Sequence, residues 1–109
     1  MSREFAGTLV ERVAIERRAE ARNAMGLQEH GWARVTECRA AVTAEGVGPE
    51  VEGMSLSAMA RFRVTIRRRD GIAIDQRVRW RGRLLMVRQL IEDPLLKDRL
   101  TLRCEEVRQ

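Results

Sequence analysis

The residues able to do chemistry are few in this chain, and their spacing does not bring them together. His30 is the single histidine, and no serine or cysteine nucleophile motif surrounds it, so a general base would have no partner. The carboxylate pairs Glu92-Asp93 and Glu105-Glu106 are sequence neighbours, and neighbouring side chains on a strand point to opposite faces. We therefore predict that the protein is not an enzyme and has no catalytic residue.

Metal and cofactor binding are also predicted to be absent. Cys38 and Cys104 match no metal-ligand spacing such as C-x-x-C, so we expect two reduced thiols that pack as small hydrophobic side chains. The sequence Gly46-x-Gly48 lacks the third glycine, the Lys-Ser/Thr pair and the following helix of a phosphate-binding loop. We predict that the chain carries no cofactor.

Arginine is the functional residue type that recurs in a pattern. The 109-residue chain has 21 basic side chains, all but one of them arginine, against 16 acidic ones, and its net charge is +5. Two rows share one strand parity each: Arg61, Arg63, Arg67 and Arg77, Arg79, Arg81. On neighbouring strands the rows would form a basic patch for phosphates or acidic protein surfaces. The alternative is a solvated outer face whose arginines pair with scattered glutamates.

The elements that carry these rows are predicted strands. Residues 60–67 alternate strictly between apolar and polar, which is typical of a half-buried strand. Residues 77–91 contain two alternating runs around Gly82 and predict a β-hairpin. Residues 99–105 alternate again and predict a closing strand with its arginines outward.

The first half of the chain is less regular. We predict a strand over residues 8–17, a short helical turn over 18–23, and a loop bracketed by Met25-Gly26 and His30-Gly31. Residues 32–44 favour a strand over a helix, and their apolar positions change parity near Thr36-Glu37, which indicates a β-bulge or bend.

Residues 45–58 predict one long irregular loop. Three glycines and Pro49 fall within the eight residues 46–53, a composition that disfavours regular structure. The last part of the stretch, from Ser55 to Ala60, can form a short helix capped by Ser55. With about six strands, the chain is predicted to be a single mainly β domain over residues 1–109, a small antiparallel barrel or sandwich.

The order of these features resembles that of a known family. Gly7-Thr8-Leu9 precedes the strand at 12–17, Trp32 precedes the small-residue strand at 38–42, and a glutamate-containing loop follows. The remaining matching segments lie at 62–67, 76–83, 85–87 and 100–105. In this order the chain resembles the phage head-tail joining family, whose members are also called head-closure or stopper proteins.

The resemblance implies a structural role in the neck of a tailed phage or of a phage-like particle such as a gene transfer agent. It implies a ring of six or twelve copies, with the portal and adaptor rings on one side and the tail-terminator ring on the other. Double-stranded DNA would pass through the lumen without sequence-specific contacts, and the ring would help retain it. The subunit would be made in the bacterial cytoplasm. No apolar stretch approaches the ~20 residues that span a membrane, so no membrane partner is predicted.

The resemblance also gives the long loop a predicted role. Equivalent loops in a ring can point into the central channel, where carboxylates repel DNA phosphates at short range. The predicted channel or gating residues are Glu45, Gly46, Gly48, Glu50, Glu52, Gly53 and Met54.

The alternative function is a stand-alone nucleic-acid-binding β-barrel that uses the same arginine rows. Aromatic residues make up only 4% of the chain, so its contacts would be to backbone phosphates rather than to stacked bases.

Overall fold

The computed structural model describes residues 4–22, 28–47 and 59–107, and the side chains of these residues except 20–30 and 47. The elements in chain order are a short helix and six strands: α1 Phe5–Thr8, β1 Glu11–Arg22, β2 Gln28–Val47, β3 Ala60–Arg67, β4 Arg77–Trp80, β5 Arg83–Asp93 and β6 Leu96–Glu106. All strand pairs are antiparallel, and they close into a barrel in the order β1-β2-β3-β6-β5-β4. The predicted mainly β fold is confirmed, as a barrel rather than a sandwich.

The barrel interior is filled by the apolar positions of the alternating strands. On β3 the buried side chains are Phe62, Val64 and Ile66, and Arg63 and Thr65 between them point outward. The other buried hydrophobic residues of the barrel core are Val13, Ile15, Ala40, Val78, Leu85, Val87, Leu100, Leu102 and Cys104. Burial of each large aliphatic side chain contributes about 1.5–3 kcal/mol, so this interior is the main source of stability.

The hairpin of β4 and β5 has the tight turn that the sequence predicts. Arg81 and Gly82 both have positive φ, 50° and 76°. Two successive residues of this kind form a type I′ turn, whose twist matches that of the flanking strands. The hairpin brings Trp80 beside Phe62 with the ring centroids 5.2 Å apart, edge to face. This aromatic pair closes one end of the core.

Two bulges redirect β2. Ile15 pairs with Thr36 and Glu16 pairs with Arg34, so Val35 is an extra residue on β2. This confirms the bulge predicted near Thr36-Glu37. A second register shift leaves Glu45 as the extra residue opposite β3.

The structure corrects the predicted helical turn over residues 18–23 and the predicted loop that ends at His30-Gly31. Residues 18–22 continue β1, and His30 and Gly31 lie within β2. Their backbone groups pair with each other across the hairpin, from Arg17↔Ala33 to Arg22↔Gln28. The polar residues over 18–23 and the glycine at 31 favour a turn and a loop locally, whereas pairing between the two segments makes both of them strand. Asn23, Met25 and Gly26 lie outside the described residues.

The start of the predicted 45–58 loop also differs. Glu45 and Gly46 belong to β2, and Gly46 has the positive φ of 89° that the bulge requires and glycine adopts easily. Gly48, Glu50, Glu52, Gly53 and Met54 lie outside the described residues, as do residues 55–58 of the predicted short helix. Ala60, the last residue of that predicted helix, begins β3.

Strand directions place two features at opposite ends of the barrel. β2 ends and β3 begins at the end that also holds the β4–β5 turn. From the other end projects the β1–β2 arm, defined as Arg17–Arg22 paired with Gln28–Ala33. Within the described residues these two segments pair only with each other, and six residues of strand extend about 20 Å.

The cysteines behave as small core residues. Cys104 is buried and Cys38 is half-buried, and neither forms a disulfide. Burial, with an added contribution from the Glu45 charge, raises the pKa of Cys104 to about 12. Burial also raises the pKa of Cys38, although Arg69 opposes the shift.

We expect Leu102→Ala to lower the free energy of unfolding by about 3 kcal/mol, because it leaves a cavity in the packed barrel interior. Leu102 is fully buried, whereas Leu95 is 89% exposed. The matched variant Leu95→Ala should therefore change stability by less than about 0.5 kcal/mol. Urea denaturation of both variants measures the difference, and equal effects would contradict the assignment of the core.

We expect a thiol-specific disulfide reagent at mildly alkaline pH to label Cys38 slowly and Cys104 only after denaturant is added. The thiolate is the reactive species, and both thiols have raised pKa values in the folded barrel. The Cys38→Ala variant should show no labelling until it unfolds. Prompt labelling of Cys104 in that variant would show that the core is open.

Candidate functional site

The two predicted arginine rows lie on different parts of the barrel wall. β3 and β4 are separated by β2 and β1 in one direction and by β6 and β5 in the other. The prediction that the rows lie on neighbouring strands is therefore wrong, and they do not form one patch. The reason is the strand order: β3 pairs with β6, which comes last in the chain, rather than with the strand that follows it.

The β4 row is neutralised within the molecule. Glu16 accepts hydrogen bonds from Nε of Arg77 at 2.6 Å and from Nε of Arg79 at 3.1 Å. Glu11 accepts two hydrogen bonds from Arg81, each at 2.8 Å. Each arginine of this row is thus tied to a carboxylate of β1, and the row holds the β1–β4 seam together.

Glu16 is an unusual residue for this position, because it is 7% exposed. Burial alone would raise its pKa, but the hydrogen bonds from Arg77 and Arg79 outweigh burial and hold the pKa below its ordinary value. A hydrogen bond from Trp80, together with those from Arg81, also lowers the pKa of Glu11. Both carboxylates are therefore ionised in the folded protein at neutral pH.

The same cluster anchors the base of the β1–β2 arm. The guanidinium of Arg77 lies over the Trp32 ring at 4.1 Å from its centroid, and that of Arg18 lies at 5.3 Å. Trp32 is on β2, so the stack connects β4 and β1 to the second strand of the arm. Cation–π contacts of this kind each contribute about 0.5–1 kcal/mol at exposed sites.

The β3 row forms a larger basic surface with β6. We define the β3–β6 face as the outward residues of the two strands: Arg61, Arg63, Thr65, Arg67, Arg99, Thr101, Arg103 and Glu105. Arg63 lies directly opposite Arg103, and Arg67 lies opposite Arg99. The alternation of β6 predicts that Arg99 and Arg103 point outward, but only the strand pairing places them beside the β3 row.

Glu45 neutralises part of this face. The β2 bulge at Glu45 directs its carboxylate across β3, where it accepts hydrogen bonds from Arg63 at 3.3 Å and from Arg103 at 3.2 Å. Glu45 was predicted to be a loop residue that repels DNA. In the structure its carboxylate sits between two arginines that would otherwise repel each other.

The other pair of opposed arginines is covered by the N-terminal helix. The guanidinium of Arg99 lies 3.9 Å from the centroid of the Phe5 ring, and that of Arg67 lies at 5.8 Å. The aromatic face attracts both cations and offsets part of their mutual repulsion.

Two open depressions border the face on the side of β5. One, of about 290 Å³, is lined by Glu45, Arg61, Arg88, Gln89, Arg103, Cys104 and Glu105. The other, of about 260 Å³, is lined by Arg63, Ile91, Asp93, Leu96, Arg99 and Thr101. Arg88 donates a hydrogen bond to Glu105 at 3.1 Å, so both signs of charge are present in the first depression.

The described residues contain no group of three or more His, Cys, Asp or Glu side chains placed to hold a metal ion. No helix in the described part of the chain is long and apolar enough to cross a membrane.

Comparison with known proteins identifies the family. Residues 6–107 match the family model described as phage head completion protein. The chain belongs to the phage head completion protein family. Its role is structural, in the head-tail connector of a phage-like particle, where it assembles with other virion proteins. The predicted resemblance to head-closure proteins is thereby confirmed. A comparison with curated proteins finds no match.

Solved structures have the same fold. The solution structure of protein SF1141 from Shigella flexneri 2a is 24% identical with a TM-score of 0.68, and the match covers 94% of this chain and 96% of that one. A chain from the virion of a native gene transfer agent particle is 20% identical with a TM-score of 0.64, and the match covers 88% and 93%. At these identities the likeness shows a shared barrel fold.

We expect Glu16→Gln to lower the free energy of unfolding at pH 7 by about 2 kcal/mol, because charge-assisted hydrogen bonds to two arginines are weakened. The folded-state pKa of Glu16 is lowered, so its contribution is present at neutral pH and is lost as the pH falls through that value. The difference between wild type and variant should therefore shrink between about pH 5 and pH 2.

Urea denaturation across this pH range measures the effect. The control is Glu37→Gln: Glu37 is 46% exposed and pairs with Arg12 and Arg34 on the surface. Its loss should change stability by less than about 1 kcal/mol. Equal losses for the two variants would contradict a special role for Glu16.

Proposed function

We propose that this head completion protein forms a ring of six or twelve copies in the particle neck. The ring would contact the portal and adaptor side with one surface and the tail-terminator side with the other, closing the DNA-filled head and docking the tail. The observation that carries the proposal is the family match over residues 6–107 on a closed barrel. The subunit would be made in the bacterial cytoplasm and would fold as a single domain.

The chain acts by binding, without catalysis. In support, the structure holds His30 within β2 and Cys104 in the barrel core rather than together at a site. Glu16 and Glu11, the carboxylates with lowered pKa on β1, are occupied in bonds to arginine and tryptophan side chains. The stand-alone nucleic-acid-binding barrel is not favoured, because each arginine of the β4 row is tied to one of these glutamates.

The segment between β2 and β3 is proposed to line the ring channel. Val47 and Ala60 pair with each other, so the segment leaves and rejoins the barrel at one point, opposite the β1–β2 arm. Glu50 and Glu52 belong to this segment. Their repetition around a ring would place many carboxylates near the DNA, and the repulsion would be independent of base sequence.

We expect deletion of residues 49–57 to produce particles that assemble but lose packaged DNA. This deletion keeps Gly46 and Val47, which pair with Arg61 and Ala60, so the barrel ladder stays intact. The measurement is the DNA content of purified particles after nuclease treatment. The charge variant Glu50→Gln/Glu52→Gln keeps the segment length, and it should also retain less DNA than the wild type because the proposed repulsion is reduced. Full DNA retention by the deletion variant would contradict the channel role.

Electron microscopy tests the ring itself. We expect closed rings of one diameter in the neck of particles, with density for this barrel repeated around the DNA axis. A single copy in the neck, or a location in the tail tube, would contradict the proposal.

A further inference from the structure

The β3–β6 face keeps like charges in direct opposition. Arg63 faces Arg103 and Arg67 faces Arg99 across the two strands, and like charges opposed in this way destabilise a sheet. The molecule offsets this with the carboxylates of Glu45 and Asp98 and with the Phe5 ring. Repulsion between the opposed arginines remains, so a partner that brings further negative charge to this face would be attracted to it.

The composition of the face is typical of a protein interface. Arginines lie beside the half-buried Ile91, the exposed Leu96 and the Thr65–Thr101 hydroxyl pair, whose oxygens are 3.2 Å apart. Arginine is enriched in the cores of protein interfaces, where its apolar stem and its fork of donors are both used. The two depressions along β6 provide recesses of side-chain size.

The outward positions of the face have the repeat of an extended chain. Outward residues along β3 and along β6 recur every second position, about 6.8 Å apart. Carboxylates at every second residue of an extended segment have the same repeat. Arg99 and Arg103 are four residues apart, with Thr101 between them. A segment lying along β6 can present one carboxylate to the first depression, beside Arg61, Arg88 and Arg103, and another to the second, beside Arg63 and Arg99.

We propose that the β3–β6 face binds an extended acidic segment of another protein of the particle, with carboxylates entering the two depressions. The proposal rests on the structural role in the connector proposed above, and it names the surface and the chemistry of the contact.

The contacts favour protein carboxylates over DNA phosphates. Glu45 and Glu105 line the first depression and Asp93 lines the second, so a continuous phosphate backbone would meet like charge in both. An extended protein segment carries carboxylates only at some positions, so it can place them beside the arginines and away from Glu45, Glu105 and Asp93.

In the proposed complex, the Glu45 carboxylate competes with carboxylates of the bound segment for Arg63 and Arg103. It occupies Nη2 of both Arg63 and Arg103, each of which is still 39–49% exposed and open to a second acceptor. Removal of the Glu45 charge should strengthen binding of an external carboxylate. Loss of the two arginines should weaken it.

The test measures fluorescence anisotropy of a short labelled peptide in which glutamate alternates with threonine, titrated with the full-length protein. We expect Arg63→Gln/Arg103→Gln to weaken binding at least tenfold and Glu45→Gln to strengthen it severalfold. The chain offers a matched control set, since Arg12 and Arg34 share Glu37 as Arg63 and Arg103 share Glu45. Arg12→Gln/Arg34→Gln and Glu37→Gln should change binding by less than about twofold.

Thermal denaturation verifies that each variant folds, and Arg61→Gln/Arg88→Gln is a second variant of the same face should the first unfold. Equal losses of binding in Arg63→Gln/Arg103→Gln and in the control Arg12→Gln/Arg34→Gln would overturn the proposal, as would absence of peptide binding. Tighter binding of a short DNA duplex through these arginines would also overturn it, in favour of a phosphate surface. Electron microscopy of the same variants separates the two proposals: rings that form without peptide binding refute only the docking surface, and peptide binding without rings refutes only the ring.

Discussion

Closure of the barrel depends on the seam between β1 and β4. β4 is four residues long, and only three residue pairs connect it to β1. The carboxylate of Glu16 bridges this seam by accepting hydrogen bonds from both Arg77 and Arg79. Charge-assisted bonds of this kind are roughly twice as strong as neutral ones, so one buried glutamate compensates for a short ladder. The Trp32 stack on Arg77 extends the same cluster to the base of the arm.

This seam explains why a high content of arginine does not by itself indicate a nucleic-acid-binding surface. The β4 row is used inside the molecule, where Glu16 and Glu11 of β1 together pair with all three arginines. The β3 row joins the arginines of β6, where Glu45 bridges Arg63 and Arg103 and Asp98 pairs with Arg99. The two rows have the same sequence pattern but different surroundings. The strands that flank each row determine whether its arginines are paired inside the molecule or belong to the β3–β6 face.

A structural role in the head completion family agrees with arginines that are paired internally on one side of the barrel and exposed on the β3–β6 face. A connector subunit functions through its surfaces, so its interior needs only to be rigid and its outer wall must present different chemistry in different directions. The barrel meets both needs. Its closed wall leaves few open strand edges, and the β1–β2 arm, the β3–β6 face and the end that carries the β2–β3 connection point to separate regions of space.

The sequence by itself determined the β class, the strands at 60–67 and 77–91, the bulge near Thr36 and the family, because alternation, turn residues and their order are local properties of the chain. The arm and the place of Glu45 in β2 were not predicted, because the charged residues of the arm and the glycines after Glu45 favour turns locally, whereas pairing with the adjacent strand makes these residues strand. Only the tertiary structure decided which arginines share a surface. Strand order in a closed barrel follows from long-range pairing, and the pairing of β3 with β6 separated the two predicted rows and created the β3–β6 face.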